Sequence, residues 1–442
     1  MKKQQNKMEK ITSFLKDSGF INLSSEPYGG FASSYDYGPY GVEIKNNLKS
    51  LWWNDMTRNH ENIVGLDSAI LMSPKIWEAS GHLSAGFADE LSECKKCHKR
   101  FKEDSLENKN ICPECQGELM APKKFNIMMK TFVGAVEDSK NTVYLRGETC
   151  QGIYMNFLWA KNACRLKIPF GLCQIGKAFR NEITPGPFVY RTREFEQMEM
   201  QFFVKEADTE KWFDFWKKAR LDFYLKLGLK KENLRFKEQQ KEELAHYAKK
   251  AVDIEYHFPF GWCEIEGIHY RGDWDLANHS KHSGVDLSYK NLETKESFIP
   301  HVIETSAGCD RSLLAFLIDS FCEFEQGRKN DSEHGETMLA LNTKLSPIKI
   351  AVLPLMKNKP ELTSKAHEIY QMMRPCFSTQ YDETGSIGKR YRRQDEIGTP
   401  YCVTVDFETL ENNSVTLRKR DDMSQERIAL DDLKNILSKD LC

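Results

Sequence analysis

The 442-residue sequence contains no apolar run of roughly 18 residues, which excludes a helical membrane-spanning protein. Its first residues, MKKQQNKMEKITSF, lack the apolar core of a secretory signal, so a soluble cytoplasmic protein is expected. Neither charge sign is in excess: 63 Lys and Arg stand against 65 Asp and Glu, a formal net charge of -2. Any nucleic-acid surface must therefore be a local patch. Thirteen cysteines, an odd number spread over long stretches, do not make a disulfide framework. They point to reduced thiols and one metal site. The length allows two or three domains with sizeable cores.

The metal site is carried by Cys94, Cys97, Cys112 and Cys115 in the pattern C-x2-C-x14-C-x2-C. Two such knuckles present four thiolates tetrahedrally, which suits zinc. Four sulfur ligands leave no open position, so the ion would hold residues of about 90–120 folded. His98 between the knuckles could replace one thiolate or simply be solvated.

Charge is concentrated in Phe179 to Phe203, FRNEITPGPFVYRTREFEQMEMQFF, which reads as two strands joined by a Pro/Gly loop. From Glu194 the residues alternate. Met198, Met200, Phe202 and Val204 fall on a core face, and Phe195, Gln197, Glu199 and Gln201 on a polar floor. The same alternation turns Glu194 and Glu196 away from Glu199. Arginines on half-buried strands need partners: either an ion-paired sheet edge or a polyanion.

Around this hairpin the periodicity alternates between helix and strand. Residues 8–18 and Ile44 to Trp52 read as amphipathic helices, and Glu148 to Gly152 open another whose N–H groups favour an anion. Trp212 to Phe223 repeat at helical spacing, and Leu229 to Lys250 read as a surface helix. The strand-rich segment 252–276 carries Glu264, Glu266 and Arg271, where paired carboxylates could hold magnesium or pair with basic neighbours. In HVIETSAGCDRSLLAFLIDSF a strand turns into a helix at Gly308, with Arg311 in the first helical turn, a place for a cation only if an anion lies beside it. After a polar linker at 326–335, strands and helices alternate to the end, describing a small α/β domain. Lys389, Arg390, Arg392 and Arg393 cluster around Tyr391, either a phosphate-gripping patch or a solvated charge run.

Taken together, FRNE…RTREFEQME and ETSAGCDR resemble motifs 2 and 3 of the class II aminoacyl-tRNA synthetases. YGGFASSYDYGPYGVEIKNNL, WEASGH, RGETCQG, FEQMEMQFF, HSGVDL and SIGKRYRRQDEIGTP narrow the resemblance to the dimeric glycyl-tRNA synthetase type, in collinear order over nearly the whole chain. It implies an α+β protein: a class II catalytic domain on an antiparallel sheet at 1–335, with the cysteine-bearing insertion, and an α/β anticodon-binding domain at 346–442. The implied partners are ATP, glycine, tRNA(Gly) and a second copy of the chain, with Pro74 a candidate for the dimer interface. The implied cofactors are magnesium with ATP and structural zinc.

The resemblance also implies roles. Arg180 and Arg311 would be catalytic, holding the α- and γ-phosphates. ATP would be bound by these with Asn181, Glu182, Tyr190, Arg191, Thr192, Arg193, Glu194 and Phe195, the last stacking on adenine, and by Glu264, Ile265, Gly308, Cys309 and Asp310. Glu264 is the carboxylate for magnesium. Glycine would be met by Glu148, Phe195, Glu196, Gln197, Met198, Glu199, Arg271, Glu304, Thr305, Ser306, Ala307 and Gly308. Lys389, Arg390, Tyr391, Arg392 and Arg393 would touch tRNA. A non-catalytic, nucleic-acid-binding paralogue shares the fold, but the presence of Arg180, Glu182, Glu199, Glu304 and Arg311 together argues against it. Synthetases for proline, threonine, serine or histidine share motifs 2 and 3 but not the FEQME and RGETCQG surroundings. The family commonly has Pro where Gly147 lies.

Overall fold

Residues 2–84, 87–103, 106–183, 186–240, 244, 248–291, 293–328 and 335–441 are described by a computed structural model. The helices used below are α1 (Lys2–Asp17), α2 (Pro39–Arg58), α3 (Cys150–Met155), α4 (Thr209–Lys226), α5 (Cys309–Ser320) and α6 (Ile387–Glu396). Gly19, with φ +77°, ends α1 as expected of a left-handed C-terminal stop.

Seven strands form the larger sheet: β1 (Ile63–Gly65), β2 (Phe170–Phe179), β3 (Glu194–Val204), β4 (Leu234–Glu238), β5 (Lys250–Phe258), β6 (Gly261–Gly272) and β7 (His301–Gly308). Their order is β4-β5-β6-β7-β3-β2-β1, antiparallel except for the β1–β2 pair. Register follows from the pleat, since a slip of one residue would turn the core face to the site. Met198, Met200, Phe202 and Val204 pack with Ile268, Ile303 and Ile254 against α2, α4 and α5 in the main core. Each such side chain contributes about 1.5–3 kcal/mol on burial. On the other face Phe170, Leu172, Phe203 and Val302 pack under α3 and the helix Phe157–Ala163. That cluster closes one end of the face and leaves Phe195 to Gln201 as the polar floor.

Two expectations change. The segment 229–250 is not a helix: it holds the edge strand β4, whose Leu234 is buried, while residues 241–243 and 245–247 lie outside the described residues. Alternating Leu234 and Phe236 amid charges is an edge-strand pattern that composition disguises as a polar helix. Moreover, β2 ends at Phe179 and β3 starts at Glu194, so Arg180, Arg191 and Arg193 sit on the connection and not on strands. The connection's prolines cannot donate to a ladder, and Thr184 and Pro185 are outside the described residues.

The insertion is a three-stranded antiparallel sheet of Ala88–Glu93, Arg100–Lys102 and Lys123–Asn126, with Cys94 and Cys97 between its first two strands in sequence and Cys112 and Cys115 between the second and third. Beyond the expected linker, of which residues 329–334 are outside the described residues, lies a second sheet with its own core. Its strands are β8 (Ile350–Pro354), β9 (Thr379–Tyr381), β10 (Tyr401–Val405), β11 (Ser414–Lys419) and β12 (Gln425–Ala429), in the order β9-β8-β10-β11-β12. No helix among the described residues is long and apolar enough to cross a membrane.

Candidate active site

A cleft of about 880 Å³, counting space open to solvent, lies over the polar floor between the β2–β3 connection and the start of α5. One end is cationic. Arg180 Nε donates to the Gly147 carbonyl at 3.0 Å, and its guanidinium lies 5.2 Å from the Phe87 ring centroid and 5.4 Å from that of Phe195. These contacts fix the fork, and no carboxylate among the described residues forms an ion pair with it. Arg311 reaches back from the first turn of α5, donating to the Tyr190 carbonyl at 3.2 Å and pairing with Glu264 at 3.1 Å. Burial would lower the Arg311 pKa, but Glu264 and Tyr190 outweigh it and raise the value.

The other end is acidic. Glu148, Glu199 and Glu304 come from α3's approach, β3 and β7, and all are buried. Register explains the meeting: Glu199 pairs with Ser306 and Gln201 with Glu304 across β3 and β7, and directly paired residues share a face. Gln201 Nε2 bridges Glu199 at 3.0 Å and Glu304 at 2.7 Å, and Thr149 Oγ1 donates to Glu199. His269 lies 2.7 Å from Glu304, and Arg271 donates to Glu304 at 3.0 Å while gripping Asp275 twice at 2.8 Å. Glu148 accepts from the Cys150 thiol at 2.8 Å and from Gln151 at 3.0 Å, with His82 beside it at 3.2 Å.

These surroundings separate three carboxyls of one type. Burial pushes the Glu199 pKa well up, and the neighbouring Glu304 and Glu148 charges add to it. Burial would raise Glu304 too, but Arg271 and His269 hold it below the usual range. Likewise the cost of burying Glu148 is outweighed by His82 and Arg271, which hold it well below. The site thus sets two carboxyls held toward the anionic form beside one pushed toward the protonated form.

Among the residues expected at the site, Glu148, Arg180, Glu182, Tyr190, Arg191, Thr192, Phe195, Gln197, Glu199, Glu264, Glu304, Ser306, Gly308 and Arg311 all line this cleft, and Glu196 and Asp310 line it too with their charges already paired. Others need correction. Met198, Ile265, Ala307 and Cys309 point into the main core, and Thr305 is fully buried on the same far face. Only their backbones can face a ligand. Glu194 is turned outward to Lys177 at 2.6 Å, and Glu196 pairs with Lys45 and Lys49, both at 3.2 Å. Asp310 is held by Lys45 at 2.6 Å, by Tyr37 and by the Glu196 N–H at 2.8 Å, a structural clasp between α2 and α5. Arg193 donates to the Glu182 carbonyl at 3.3 Å and the Ala32 carbonyl at 3.1 Å, so it pins the connection. The Asn181 N–H is bonded to the Ile127 carbonyl at 2.7 Å, beside the insertion. Arg271 orients Glu304 from behind the cleft wall.

Sequence reasoning missed His82, Thr149, Gln201 and His269 as parts of the acidic end. Gln201 and Thr149 were visible in principle, one on the polar face of β3 and the other next to Glu148. His82 and His269 carry no local signal, because their partners are distant in the chain.

In the insertion, Sγ of Cys94 lies 3.5 Å from that of Cys115, and Cys97 3.7 Å from Cys112, with all four within 4.8 Å of one another. Thiolates on a tetrahedral zinc are separated by about 3.8 Å, so the donors fit that ion. N–H groups of Cys97 and Lys96 point at Cys94 Sγ and hold that thiol down at about 6. The C-terminal basic cluster is largely spent within its own domain. Arg390 is 1 % exposed and donates to the carbonyls of Pro354, Leu355 and Gly385; Tyr391 bonds Thr404 at 2.6 Å; Arg393 pairs with Asp382. Lys389, exposed, and Arg392, half-buried, keep charge near the surface.

Sequence comparison decides the family. A model of the anticodon-binding domain matches residues 349–440. A glycine–tRNA ligase of Treponema denticola is 52 % identical over 426 residues, covering 95 % of this chain and 94 % of the relative. That of Thermobifida fusca is 48 % identical over 454 residues, and that of Borreliella burgdorferi 50 % over 440, each covering 98 % of both chains. The chain belongs to the glycine–tRNA ligase family. For a glycine–tRNA ligase family member, a cleft with arginines at one end and buried glutamates at the other has a direct chemical reading.

Proposed function

We infer that the protein activates glycine with ATP to glycyl-adenylate, releasing pyrophosphate, and then transfers glycine to the 3′ end of tRNA(Gly). A glycine carboxylate oxygen attacks the α-phosphorus in line as the bond to the pyrophosphate oxygen breaks. Two anions must be brought together, so positioning and charge neutralisation supply the rate and no protein nucleophile is required. The observation that carries this reading is the cleft's polarity, with Arg180 and Arg311 at one end and Glu148, Glu199 and Glu304 at the other.

Arg180, pre-aimed by Gly147 and its two flanking rings, takes the α-phosphate and the glycine carboxylate; a guanidinium fork suits both. Arg311 takes the γ-phosphate after leaving Glu264. The pair is partly exposed, at 25 % and 43 % for the two side chains, and such pairs cost little to exchange. Phe195 offers a ring to adenine, and Glu182, whose buried Oε2 lies 4.0 Å from Lys102 and has no hydrogen bond among the described residues, offers an acceptor to its edge. Glu264, freed in the same exchange, is a hard oxygen donor fit for magnesium, which would screen the phosphate oxygens when bound with ATP. The ammonium of glycine enters among the three glutamates, with Ser306 and Gln197, hydrogen-bonded to each other at 3.3 Å, as polar walls.

The Cys94, Cys97, Cys112 and Cys115 cluster holds a structural zinc. The C-terminal domain at 346–442 reads the anticodon arm, and 1–335 carries the chemistry of a class II catalytic domain. A second copy covers the apolar patch where Leu71 bridges Leu145 next to the hairpin that leaves Val133 and Val136 exposed, beside Pro74. The test is exchange of labelled pyrophosphate into ATP by the purified protein with magnesium. Glycine alone should support it, and Arg180→Ala should abolish it with the fold intact. Equal exchange with alanine or serine, or none with any amino acid, refutes the reading.

A further inference from the structure

The acidic end of the cleft contains a group that ammonium recognition does not require, the thiol of Cys150. It is fully buried, and its Sγ lies within 4.8 Å of carboxylate oxygens of both Glu199 and Glu304, which are equally close to each other. Ligand atoms around a tetrahedral ion bound through sulfur and oxygen are about 3.6 Å apart. Small χ rotations of two glutamates therefore suffice to close the set.

A second observation comes from a different element. His82, 5 % exposed, ends the turn after the helix Pro74–Ala79, and its Nδ1 lies 2.7 Å from Ser80 Oγ. Its Nε2 is buried and has no hydrogen-bond partner among the described residues, although it sits 3.2 Å from the same Glu148 oxygen that receives the Cys150 thiol. In the neutral tautomer that donates Nδ1–H to Ser80, Nε2 would present a lone pair beside Glu148, the arrangement in which a second-shell hydrogen bond orients a histidine for a metal; protonated, the same nitrogen pairs with Glu148 instead. Glu148 and Glu304 supply the negative potential that draws a cation, and Glu199 adds its charge once its proton leaves. Thiolate and imidazole select a softer ion than magnesium.

We propose that the ammonium end of the cleft is also a site for a thiophilic divalent cation such as zinc or cadmium, held by Cys150, Glu199 and Glu304, whose occupation excludes glycine. The exclusion rests on the assignment of this end to glycine; the cation site itself does not. Binding forms one metal–sulfur and two metal–oxygen bonds. The Cys150 thiol proton leaves by way of Glu148 and the proton held on Glu199 leaves with it to solvent, and no electron is transferred. The free zinc level would then set the fraction of protein open to glycine, separately from the four-cysteine site in the insertion.

The experiment uses the full chain, with zinc as probe. Equilibrium dialysis should find one zinc equivalent more in the parent than in Cys150→Ala, and glycine should displace that equivalent. In the pyrophosphate exchange assay, zinc should raise KM for glycine with kcat unchanged. Cys150→Ser, which keeps the side chain's shape, should weaken that inhibition by about tenfold or more, at least what losing an outer-shell partner costs. Equal stoichiometry in parent and Cys150→Ala, or inhibition that is indifferent to glycine or to Cys150, overturns the proposal. If glycine fails to support exchange before any zinc is added, the glycine assignment falls, while a Cys150-dependent zinc equivalent would still uphold the cation site.

Discussion

Glu199→Gln should move stability and glycine use in opposite directions. Glu199 is 2 % exposed, accepts hydrogen bonds from Thr149 and Gln201, and has two anionic glutamates nearby. Its folded pKa stands well above the unfolded value near 4.5. A group raised in this way contributes stability that is fully present below the unfolded value and lost as pH rises through the folded one. The loss is about 1.4 kcal/mol for each pH unit crossed between the two. Glutamine has the shape of the protonated acid and never ionises, so the substrate-free variant should melt higher than the parent at neutral pH. Glycine binding needs the carboxylate. Replacing that charge removes a hydrogen bond to a charged group, about 1.5–3 kcal/mol, so kcat/KM for glycine should fall roughly 10–150-fold. In the parent, kcat/KM for glycine should climb about tenfold per pH unit below the raised value and then level off; in Glu199→Gln it should be flat. Thermal melting and glycine-dependent pyrophosphate exchange across pH measure the two effects. A variant that melts lower than the parent, or that keeps the parent's pH slope, would refute the assignment of a proton-holding carboxyl.

Further outcomes follow from the geometry. Replacing Cys94 and Cys97 by Ser should remove one equivalent of zinc, read by metal analysis; a parent protein without zinc refutes the structural site. Because Lys102 in the insertion approaches Glu182 at 4.0 Å, KM for ATP should rise more than KM for glycine in that variant. In the C-terminal domain, Arg390→Ala strips three carbonyls of their donor and should destabilise the domain by about 1–3 kcal/mol, seen in melting. Lys389→Ala should leave stability and tRNA-independent exchange unchanged while slowing aminoacylation of tRNA. A matched loss in both assays contradicts a tRNA contact there.

Local pattern made much of this protein legible. Period-two alternation from Glu194 to Val204 specified which face of β3 is core and which is floor, because successive side chains on a strand must point to opposite sides. The change of period at Gly308 marked the strand-to-helix junction that delivers Arg311, and the spacing of two cysteine pairs marked the metal cluster. Each of these signals lies within one element or one tight turn. The surface helix expected over 229–250 failed for the converse reason. An edge strand with one buried face differs little in composition from a polar helix, and its pairing partner β5 decides the matter.

What the tertiary structure alone decided is which charges are free to act. Sequence placed Arg193, Glu196 and Asp310 beside the chemistry and Arg390 in a patch for tRNA, yet each is held by partners distant in the chain, so their fixed charges serve the fold. His82 and His269 arrive at the acidic end from elements that only the sheet's register and the helix packing bring together. The three glutamates were readable as carboxylates near a site. That one keeps a proton while two do not depends on burial and on Arg271, His269 and His82, because a carboxyl's ionisation is set by the surroundings that folding assembles.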